Sequence, residues 1–347
     1  METLTPLISV ITPTFNHQAF IGPCVESVLS QSYRHWEQII LDDGSTDDTP
    51  EIVQRYDDKR IVYIRQQNKG LELLPHTYNI ALNACKGELI AILEGDDVWP
   101  ADKLQILAPS FNDPNQVLAY GAVGDLSSQG AWSGRLSRSV RKRMNLRNEI
   151  LTNTPIGAAT PYMLTAEGVD LVPPSTAIIR RSALEAIGGF QYFPGLCVTD
   201  LPTFAMLSLT GKFYYTKAVV GFRRRHLGSA TFNNLNVIVS HARSYVEQFL
   251  DHHDLRLSSE QRAEILNTWN RPRPTFELMA GRLKLLSGDW ISARYHFSRV
   301  FNGPLSYVCL AAILGWCSSW FRCDIERLLA LTGVASVKEP SVEKAVN

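Results

Sequence analysis

The chain has 347 residues, which is enough for a main domain and a smaller one. Apolar residues make up 45% of it and charged residues 20%, a composition that excludes a disordered chain. The 34 basic and 34 acidic residues balance, so no overall field attracts nucleic acid, and we expect no nucleic-acid partner.

The six cysteines form no CxxC pair and no Cys/His cluster with zinc spacing. This pattern favours reduced, mostly buried thiols in a cytoplasmic protein. The N-terminus has no basic segment followed by a long apolar one, so a signal peptide is not expected.

Strand and helix patterns alternate along the first hundred residues. Short β-branched runs predict strands, and apolar residues at helical spacing predict the helices between them. The predicted strands are 7–11, 36–41, 61–64 and 89–93, and the predicted helices are 20–31, 49–56 and 74–85. This order indicates an α/β fold with a mostly parallel central sheet flanked by helices on both faces.

Beyond residue 104 the pattern is looser, and the basic, polar stretch 127–165 is predicted to be a long loop with some helix. The predicted strands of this part are 117–121, 175–179 and 214–222, and its clearest predicted helices are 181–187 and 200–209. From about residue 233 the chain has a helical pattern. We therefore predict a main domain over 1–230 and a smaller α-helical C-terminal domain over 231–347.

Polar clusters follow three of the predicted strands, at 14–16, 42–47 and 94–97. In such sheets ligands bind beyond the carboxyl ends of the strands. The last cluster holds three carboxylates, Glu94, Asp96 and Asp97, and a cation would relieve their repulsion. Hard oxygen ligands without a nearby Cys or His suit Mg²⁺ or Mn²⁺. The alternative is a solvated acidic turn.

The cluster at 42–47, Asp-Asp-Gly-Ser-Thr-Asp, places a second acidic turn at a neighbouring strand end. A carboxylate there can accept a hydrogen bond from the imide N–H of uracil, while Ser45 or Thr46 caps the next helix. The alternative is that the cluster only caps a helix and that its remaining carboxylates bind no ligand. Because the cluster would lie opposite the carboxylates at 94–97, a contact with the nucleobase is favoured.

The N-terminal half resembles family 2 of the glycosyltransferases, which has the GT-A fold. The matching stretches are VITPTFN at 10–16, SVLSQSY at 27–33, DDGSTD at 42–47 and GELIAILEGDD at 87–97. The resemblance extends over about residues 7–230. It implies a nucleotide-binding half over about 1–104 and an acceptor-binding half over about 105–230. The QxxRW motif of processive members is absent, which argues for the addition of one sugar per encounter.

The resemblance also implies roles for individual residues. The residues expected to bind the nucleotide are Pro13, Thr14, Phe15, Asn16, Asp42, Asp43, Gly70, Glu94 and Gly95. Asp43, more than Asp42, would contact the uracil. Asp96 occupies the place of the DXD motif and would bind the metal, together with His226. Arg224 and His226 match the family's Arg-x-His segment and would contact the diphosphate.

The family's acidic pair at the start of the acceptor-site helix is replaced here by Thr199-Asp200. We predict that Asp200 is the general base, since an inverting transfer needs a carboxylate to take the acceptor's proton. The alternative is a structural role, because Asp200 followed by Pro202 is also typical of a helix start.

The expected function is transfer of a single sugar from a nucleotide-sugar, preferably a UDP-sugar, to a saccharide or lipid-linked glycan in cell-surface polysaccharide biosynthesis. One alternative is a nucleotidyltransferase, although the loop 12–17 lacks the usual Gly-rich, basic pattern. Another is a non-catalytic nucleotide- or sugar-binding scaffold, favoured only by Thr199. The basic stretch 135–147 is either a solvated loop or a surface that recognises an anionic acceptor or anionic lipid headgroups. Together with the uncharged segment 300–321, it suggests peripheral contact with the inner face of the membrane.

Overall fold

The computed structural model describes residues 5–126, 132–136, 138–224, 226, 234–271, 274–286, 288–301 and 307–321. The chain divides into two compact units, Met1–His226 with Asn233–Trp269, and Leu227–Phe232 with Asn270–Asn347. The sequence-based boundary near residue 230 differs from this division. Helical residues such as Ala242 and Val246 share one buried apolar cluster with Leu201, and this packing joins them to the first unit.

The first unit contains a sheet whose eight described strands alternate with helices. The strands are β1 (Ile8–Thr14), β2 (Trp36–Asp42), β3 (Ile61–Arg65), β4 (Leu89–Ile92), β5 (Gln116–Leu126), β6 (Trp132–Leu136), β7 (Ile178–Arg180) and β8 (Lys212–Arg224). Their order is β3-β2-β1-β4-β7-β5-β6, and β8 pairs with β5. The pairs among β1 to β4 and the β5–β8 pair are parallel, whereas β7 runs antiparallel to β4 and β5. The predicted α/β fold is confirmed.

Fourteen helices lie in the described part of the chain. Those of the first unit are α1 (Ile21–Leu29), α2 (Thr49–Val53), α3 (Leu74–Ala84), α4 (Lys103–Leu107), α5 (Arg138–Arg143), α6 (Asn148–Thr152), α7 (Thr160–Met163), α8 (Arg181–Ala186), α9 (Asp200–Ser208), α10 (Leu235–His252) and α11 (Ser259–Asn270). Those of the second unit are α12 (Pro274–Leu286), α13 (Trp290–Ser298) and α14 (Tyr307–Phe321).

Both faces of the central strands are buried. On β1, Ile11 packs into one apolar cluster while Val10 packs into another, and on β4, Ile90 and Ala91 divide in the same way. A strand that is covered on both faces needs apolar residues at successive positions, since no side of it faces water. This burial explains why the sequence predicts β1, β2 and β4 so clearly.

The structure differs from the sequence predictions between residues 127 and 180. The stretch 127–165, predicted to be a long loop with some helix, contains β6 and the three helices α5, α6 and α7. The strand predicted over 175–179 begins only at Ile178, because Pro174–Thr176 forms a 3-10 turn. Pro173 and Pro174 lack N–H donors, which disfavours a central strand at this point.

The uncharged segment 300–321 contains α14. Within the part of the chain that the structure describes, no helix is both long and apolar enough to cross a membrane. The side chains of Leu310, Leu314 and Trp320 on α14 are exposed.

The turn after β2 depends on Gly44, which has a φ of 79°. A Cβ at this position would lie 2.7 Å from the backbone nitrogen of Asn68. We expect Gly44→Ala to lower the free energy of unfolding by about 2 kcal/mol more than Gly157→Ala does. Gly157 is the matched control, because its φ is 91° but, apart from its chain neighbours, no heavy atom of the described residues lies within 4 Å of its added Cβ. Urea denaturation measures both losses, and equal losses would show that crowding against Asn68 is unimportant.

Candidate active site

The ends of β1, β2 and β4 form one polar edge of the sheet. The backbone N–H of Asp43, after β2, donates to the carbonyl of Thr14 at 2.9 Å. The backbone N–H of Gly95, after β4, donates to the carbonyl of Pro13 at 3.1 Å. The three polar clusters found in the sequence therefore lie side by side.

The two carboxylates of the second acidic turn have different surroundings. Asp42 is fully buried, and its oxygens accept from the Ser45 N–H at 2.8 Å and from the Tyr63 hydroxyl at 2.6 Å. Asp43 is half-buried and accepts from the Lys69 N–H at 3.0 Å. Asp42 thus holds the turn together, and Asp43 is the acid of the pair that reaches the surface.

The other predicted nucleotide-binding residues border this turn. Asn16 has a φ of 53°, and its side-chain oxygen accepts from the Thr46 N–H at 2.8 Å. The Phe15 side chain is 42% exposed. Gly70 has a φ of 76°, and its N–H donates to the side chain of Asn68 at 2.7 Å. The hydrogen bonds of Asn16 and Gly70 fix the conformation of the exposed loops beside Asp43.

Three carboxylates and one imidazole converge after β4. Glu94, Asp96 and Asp97 each present an oxygen, and these oxygens lie within 4.8 Å of one another. The Nε2 of His226 donates to the Oδ2 of Asp96 at 2.9 Å. The predicted metal residues Asp96 and His226, which are far apart in sequence, are therefore in direct contact.

β8 joins this group through backbone contacts. Val98 and Phe222 exchange two backbone hydrogen bonds, of 3.1 Å and 2.8 Å. The Arg224 backbone N–H then donates to Asp97 at 2.9 Å, and its Nε donates to the carbonyl of Asp96 at 3.0 Å. This pairing explains how the Arg-x-His segment reaches the turn after β4.

The pKa values of the three carboxylates reflect burial and mutual repulsion. Burial, with the charges of Asp96 and Asp97, raises the pKa of Glu94 well above its usual range. Burial and the charge of Asp96 also raise the pKa of Asp97 to about 7. Burial acts on Asp96 in the same direction, but the hydrogen bond from His226 and the charge of His17 outweigh it, so its pKa is lowered.

The residues present fit a divalent cation. Asp97 already accepts from Ser175 and from Arg224, so its main role is within the turn. Asp96 and His226 offer a carboxylate oxygen and an imidazole nitrogen, a donor set that Mg²⁺ and especially Mn²⁺ accept.

The sequence analysis missed His17, which lies at the same site. Its Nδ1 is 3.2 Å from the Thr14 hydroxyl, and its ring lies edge-on to His226 with centroids 6.3 Å apart. Burial lowers the pKa of His17, although the charge of Asp96 acts in the opposite direction. A Cβ on Gly95 would lie 2.8 Å from the His17 ring, so this close packing requires glycine there. The sequence did contain an indication of this role, since His17 directly follows the first polar cluster, 14–16.

Asp200 is the first residue of α9, and Thr199 is the N-cap. The Thr199 side chain makes no capping hydrogen bond, and the Asp200 carboxylate accepts from the adjacent Leu201 N–H at 2.9 Å. Burial raises the pKa of Asp200 to about 6. A capping role therefore does not account for this half-buried carboxylate.

Asp200 lies close to the carboxylates after β4. The hydroxyl of Tyr78, a residue that the sequence analysis also missed, donates to Glu94 at 3.4 Å. Burial is the main cause that raises the pKa values of Tyr78 and Glu94, and the charge of Asp200 adds to both shifts. The predicted base and the predicted metal turn thus share one electrostatic environment.

Ser175 supports the turn after β4 from the neighbouring 3-10 turn. Its hydroxyl donates to Asp97 at 2.5 Å and accepts from the Glu94 N–H at 3.3 Å. Its carbonyl accepts from the Trp99 indole at 2.7 Å and from the Nζ of the buried Lys103 at 2.9 Å. Ser175 therefore connects both ends of the acidic turn to α4.

We expect Ser175→Ala to lower the free energy of unfolding by about 2 kcal/mol, because it leaves a buried Asp97 oxygen without its donor. Ser110→Ala is the matched control, since the Ser110 hydroxyl donates to the nearby carbonyl of Leu107 rather than to a buried carboxylate. Urea denaturation of both variants provides the comparison. A loss no larger than that of the control would contradict a supporting role for Ser175.

Comparison with known sequences gives a consistent result. Residues 9–188 match the family model described as Glycosyl transferase family 2. The chain is 45% identical over 165 residues to the Bacillus subtilis protein named "Putative teichuronic acid biosynthesis glycosyltransferase TuaG", which covers 46% of this chain and 63% of that protein. It is 30% identical over 154 residues to the Escherichia coli UDP-Glc:alpha-D-GlcNAc-diphosphoundecaprenol beta-1,3-glucosyltransferase WfgD, covering 44% and 58%. The matches thus span less than two thirds of either relative.

Two solved structures share the fold. The Pyrobaculum calidifontis mannosyltransferase PcManGT, in complex with GDP-Man and Mn²⁺, has a TM-score of 0.55 at 17% identity, covering 96% of this chain and 84% of that one. Residues 1–349 of S. aureus TarS, in complex with UDP, have a TM-score of 0.52 at 19% identity, covering 94% and 91%. At these identities the similarity concerns the fold alone.

Proposed function

Since the chain belongs to glycosyl transferase family 2, we propose that it moves a single sugar, with inversion, from a nucleotide diphosphate sugar to an acceptor hydroxyl. The observation that carries this proposal is the contact of Asp96 with His226, together with the half-buried carboxylate of Asp200, whose charge acts on Glu94 of the same turn. Such a transfer needs a binding site for the leaving diphosphate and a base for the acceptor, and these residues supply both.

The proposed donor is a UDP-sugar. Asp43 is half-buried at the polar edge of the sheet, beside the exposed ring of Phe15, where a carboxylate and an aromatic face suit a uracil. The name of the relative WfgD specifies UDP-Glc as its donor. The remaining nucleotide contacts are proposed for Pro13, Thr14, Asn16, Asp42, Gly70, Glu94 and Gly95.

Asp96 and His226 are the residues that would hold Mg²⁺ or Mn²⁺. When bound, the ion would neutralise the negative charge that develops on the leaving nucleoside diphosphate. Arg224 borders Asp96, and we propose that Arg224 and His226 contact the diphosphate. Glu94, which is half-buried and accepts a hydrogen bond from the Tyr78 hydroxyl, would contact the ribose or the donor sugar.

Asp200 is the proposed general base. Burial raises its pKa to about 6, so it is still ionised at neutral pH but binds a proton more readily than an exposed carboxylate does. It would take the proton of the acceptor hydroxyl as that oxygen attacks the anomeric carbon. One displacement of this kind inverts the configuration and needs no covalent intermediate.

The proposed acceptor is a saccharide or a lipid-linked glycan of a cell-surface polysaccharide. The names of both relatives support this class, since one includes teichuronic acid biosynthesis and the other a diphosphoundecaprenol-linked sugar. We also propose a cytoplasmic protein that touches the inner face of the membrane through 135–147 and 300–321. The exposed side chains of Leu310, Leu314 and Trp320 support the second contact.

Calorimetric titration of UDP tests the proposal, with GDP as the control nucleotide and with Mn²⁺ either present or replaced by EDTA. We expect UDP to bind more tightly than GDP, and only in the presence of Mn²⁺. A panel of UDP-sugars is then screened for the release of UDP in the presence of saccharide acceptors. If neither nucleotide binds with Mn²⁺ present, a non-catalytic scaffold explains the fold better.

A further inference from the structure

Arg143, the last residue of α5, is buried, and its guanidinium has no hydrogen-bond partner in the part of the chain that the structure describes. Its side chain is only 2% exposed, and its Nε and both Nη atoms have no hydrogen-bond partner within the described residues. A buried cation without hydrogen bonds is strongly unfavourable unless an anion compensates it. The sequence analysis treated 135–147 as a solvated loop or an anion-binding surface, and the burial of Arg143 excludes full solvation.

Two tyrosines line the same region. The rings of Tyr120 on β5 and Tyr215 on β8 are tilted against each other, with centroids 5.2 Å apart. The Tyr120 hydroxyl donates to the carbonyl of Leu151 at 3.1 Å, whereas the buried Tyr215 hydroxyl has no partner in the described part of the chain. Arg143 is close enough for its charge to counteract the effect of burial on both tyrosine pKa values.

A second guanidinium lies nearby on β8. The Nε of Arg223 is buried and unpartnered, and the Nη2 of this residue is 3.7 Å from Asp125, which is long for an ion pair. Arg143 and Arg223 repel each other, and Asp170 attracts both. Among the described contacts, however, Asp170 makes no hydrogen bond or ion pair with either. Both arginines therefore have buried guanidinium donors without a hydrogen-bond partner among the described residues.

This cluster borders the proposed reaction centre. The charges of Asp97 and Glu94 act on Arg223, and the charge of Asp170 acts on Asp200. The Arg223 side chain is 35% exposed, which gives a ligand a route to the cluster.

We propose that Arg143, Arg223 and the Tyr215 hydroxyl form a subsite for an oxyanion, a carboxylate or phosphate group carried by the sugar substrate. The planar guanidinium presents paired N–H donors that match the two oxygens of such a group, and the tyrosine hydroxyl adds a third donor. This inference rests on the proposed function, because the substrate that carries the oxyanion is the donor or the acceptor of that reaction.

Thermal unfolding of the full chain in EDTA, with inorganic phosphate compared with chloride at equal ionic strength, tests the subsite without any turnover. We expect phosphate to raise the wild-type midpoint by about 2 °C or more. Arg143→Met should have a higher midpoint than wild type in chloride, since it removes an unpaired buried charge, and should lose the response to phosphate. Arg141→Met is the matched control, because Arg141 is exposed on the same helix and should keep that response.

The proposal is overturned if phosphate has no effect on the wild type, or if Arg143→Met responds like Arg141→Met. A loss of stability in Arg143→Met would also contradict it, since that result indicates a structural partner for the guanidinium. Titration of UDP in the presence of Mn²⁺ distinguishes failure of this proposal from failure of the proposed function. Because the proposed nucleotide site does not include Arg143, UDP should still bind even if the oxyanion subsite does not exist.

Two further comparisons identify which substrate carries the oxyanion. If the donor carries it, UDP-glucuronate binds at least tenfold more tightly than UDP-glucose to the wild type, and this preference disappears in Arg143→Met. If the acceptor carries it, a methyl glucuronide protects the UDP-bound wild type against thermal unfolding more than a methyl glucoside does. This second difference should also disappear in Arg143→Met. If neither preference occurs, the subsite does not bind a substrate oxyanion.

Discussion

Asp200→Asn is expected to lower kcat by about 10²- to 10⁴-fold, the range for loss of a general base. Asparagine has nearly the same size and can still accept the hydrogen bond from Leu201, but it cannot take a proton from the acceptor. Binding of UDP with Mn²⁺ should be nearly unchanged, because the donor residues are untouched. Steady-state turnover and calorimetric titration of the same preparation measure the two effects separately.

Thr199→Val is the control for this experiment. Thr199 is adjacent and buried, yet its side chain makes no capping hydrogen bond, so kcat should change little. If Asp200→Asn keeps the wild-type kcat, another group is the base. If it fails to fold while Thr199→Val folds, the structural role of Asp200 is favoured instead.

The pH dependence of kcat follows from the same carboxylate. Because burial raises the pKa of Asp200 to about 6, the base is protonated and inactive below that pH and ionised above it. The kcat of wild type should therefore rise through about pH 6 and then level off, and this rise should be absent from the residual activity of Asp200→Asn.

Folding stability should show the opposite trend. A raised pKa means that the folded state holds the proton more tightly than the unfolded state does, so this contribution is fully present at low pH. It is lost as the pH rises through about 6, and the ionised carboxylate of the active enzyme then weakens the fold.

The sequence predicts the polar edge of the sheet, where we propose that the nucleotide binds, for a physical reason. β1, β2 and β4 are buried on both faces, so each requires a continuous apolar run, and a polar cluster follows each run directly. The contact of Asp96 with His226 was accessible only through the family resemblance. The two residues are 130 positions apart, and the bridge between Val98 and Phe222 that joins their segments has no local sequence signal.

The region between β5 and β7 was much harder to predict, because long-range contacts fix it. Asn153, with a φ of 53°, donates its side-chain N–H groups to the carbonyls of Ser208 and Gly211. Its oxygen accepts from the Gly157 and Ala159 N–H groups. One polar side chain thus organises the segment between α6 and α7, where apolar periodicity is weak.

The domain boundary predicted near residue 230 shows another limit of prediction from sequence. A change from mixed to helical periodicity shows where the type of secondary structure changes, but not which partner the helices pack against. α10 begins at Leu235, as the helical pattern indicates, yet its buried face carries Ala242 and Val246 into a cluster with Leu201 of α9. Partner choice depends on surfaces that are distant in sequence.

Asp96→Asn is expected to remove the effect of Mn²⁺ on UDP binding. A metal–phosphate bridge contributes several kcal/mol, so UDP affinity in the presence of Mn²⁺ should fall by about 100-fold or more. Asparagine can still accept the hydrogen bond from His226, so the turn after β4 should keep its shape. Calorimetric titration of UDP into both proteins, with Mn²⁺ or with EDTA, measures the loss, and thermal unfolding in EDTA checks the fold.

Asp48→Asn is the matched control, because Asp48 is an exposed acid at the same edge whose side chain makes no capping hydrogen bond. It should bind UDP like the wild type, since removal of one surface charge changes only screened, long-range attraction. If Asp96→Asn still binds UDP in a Mn²⁺-dependent way, then Glu94 and Asp97 must hold the ion. Asp97 would in that case have to give up its hydrogen bond from Ser175, and Ser175→Ala should then tighten the binding of Mn²⁺ rather than leave it unchanged.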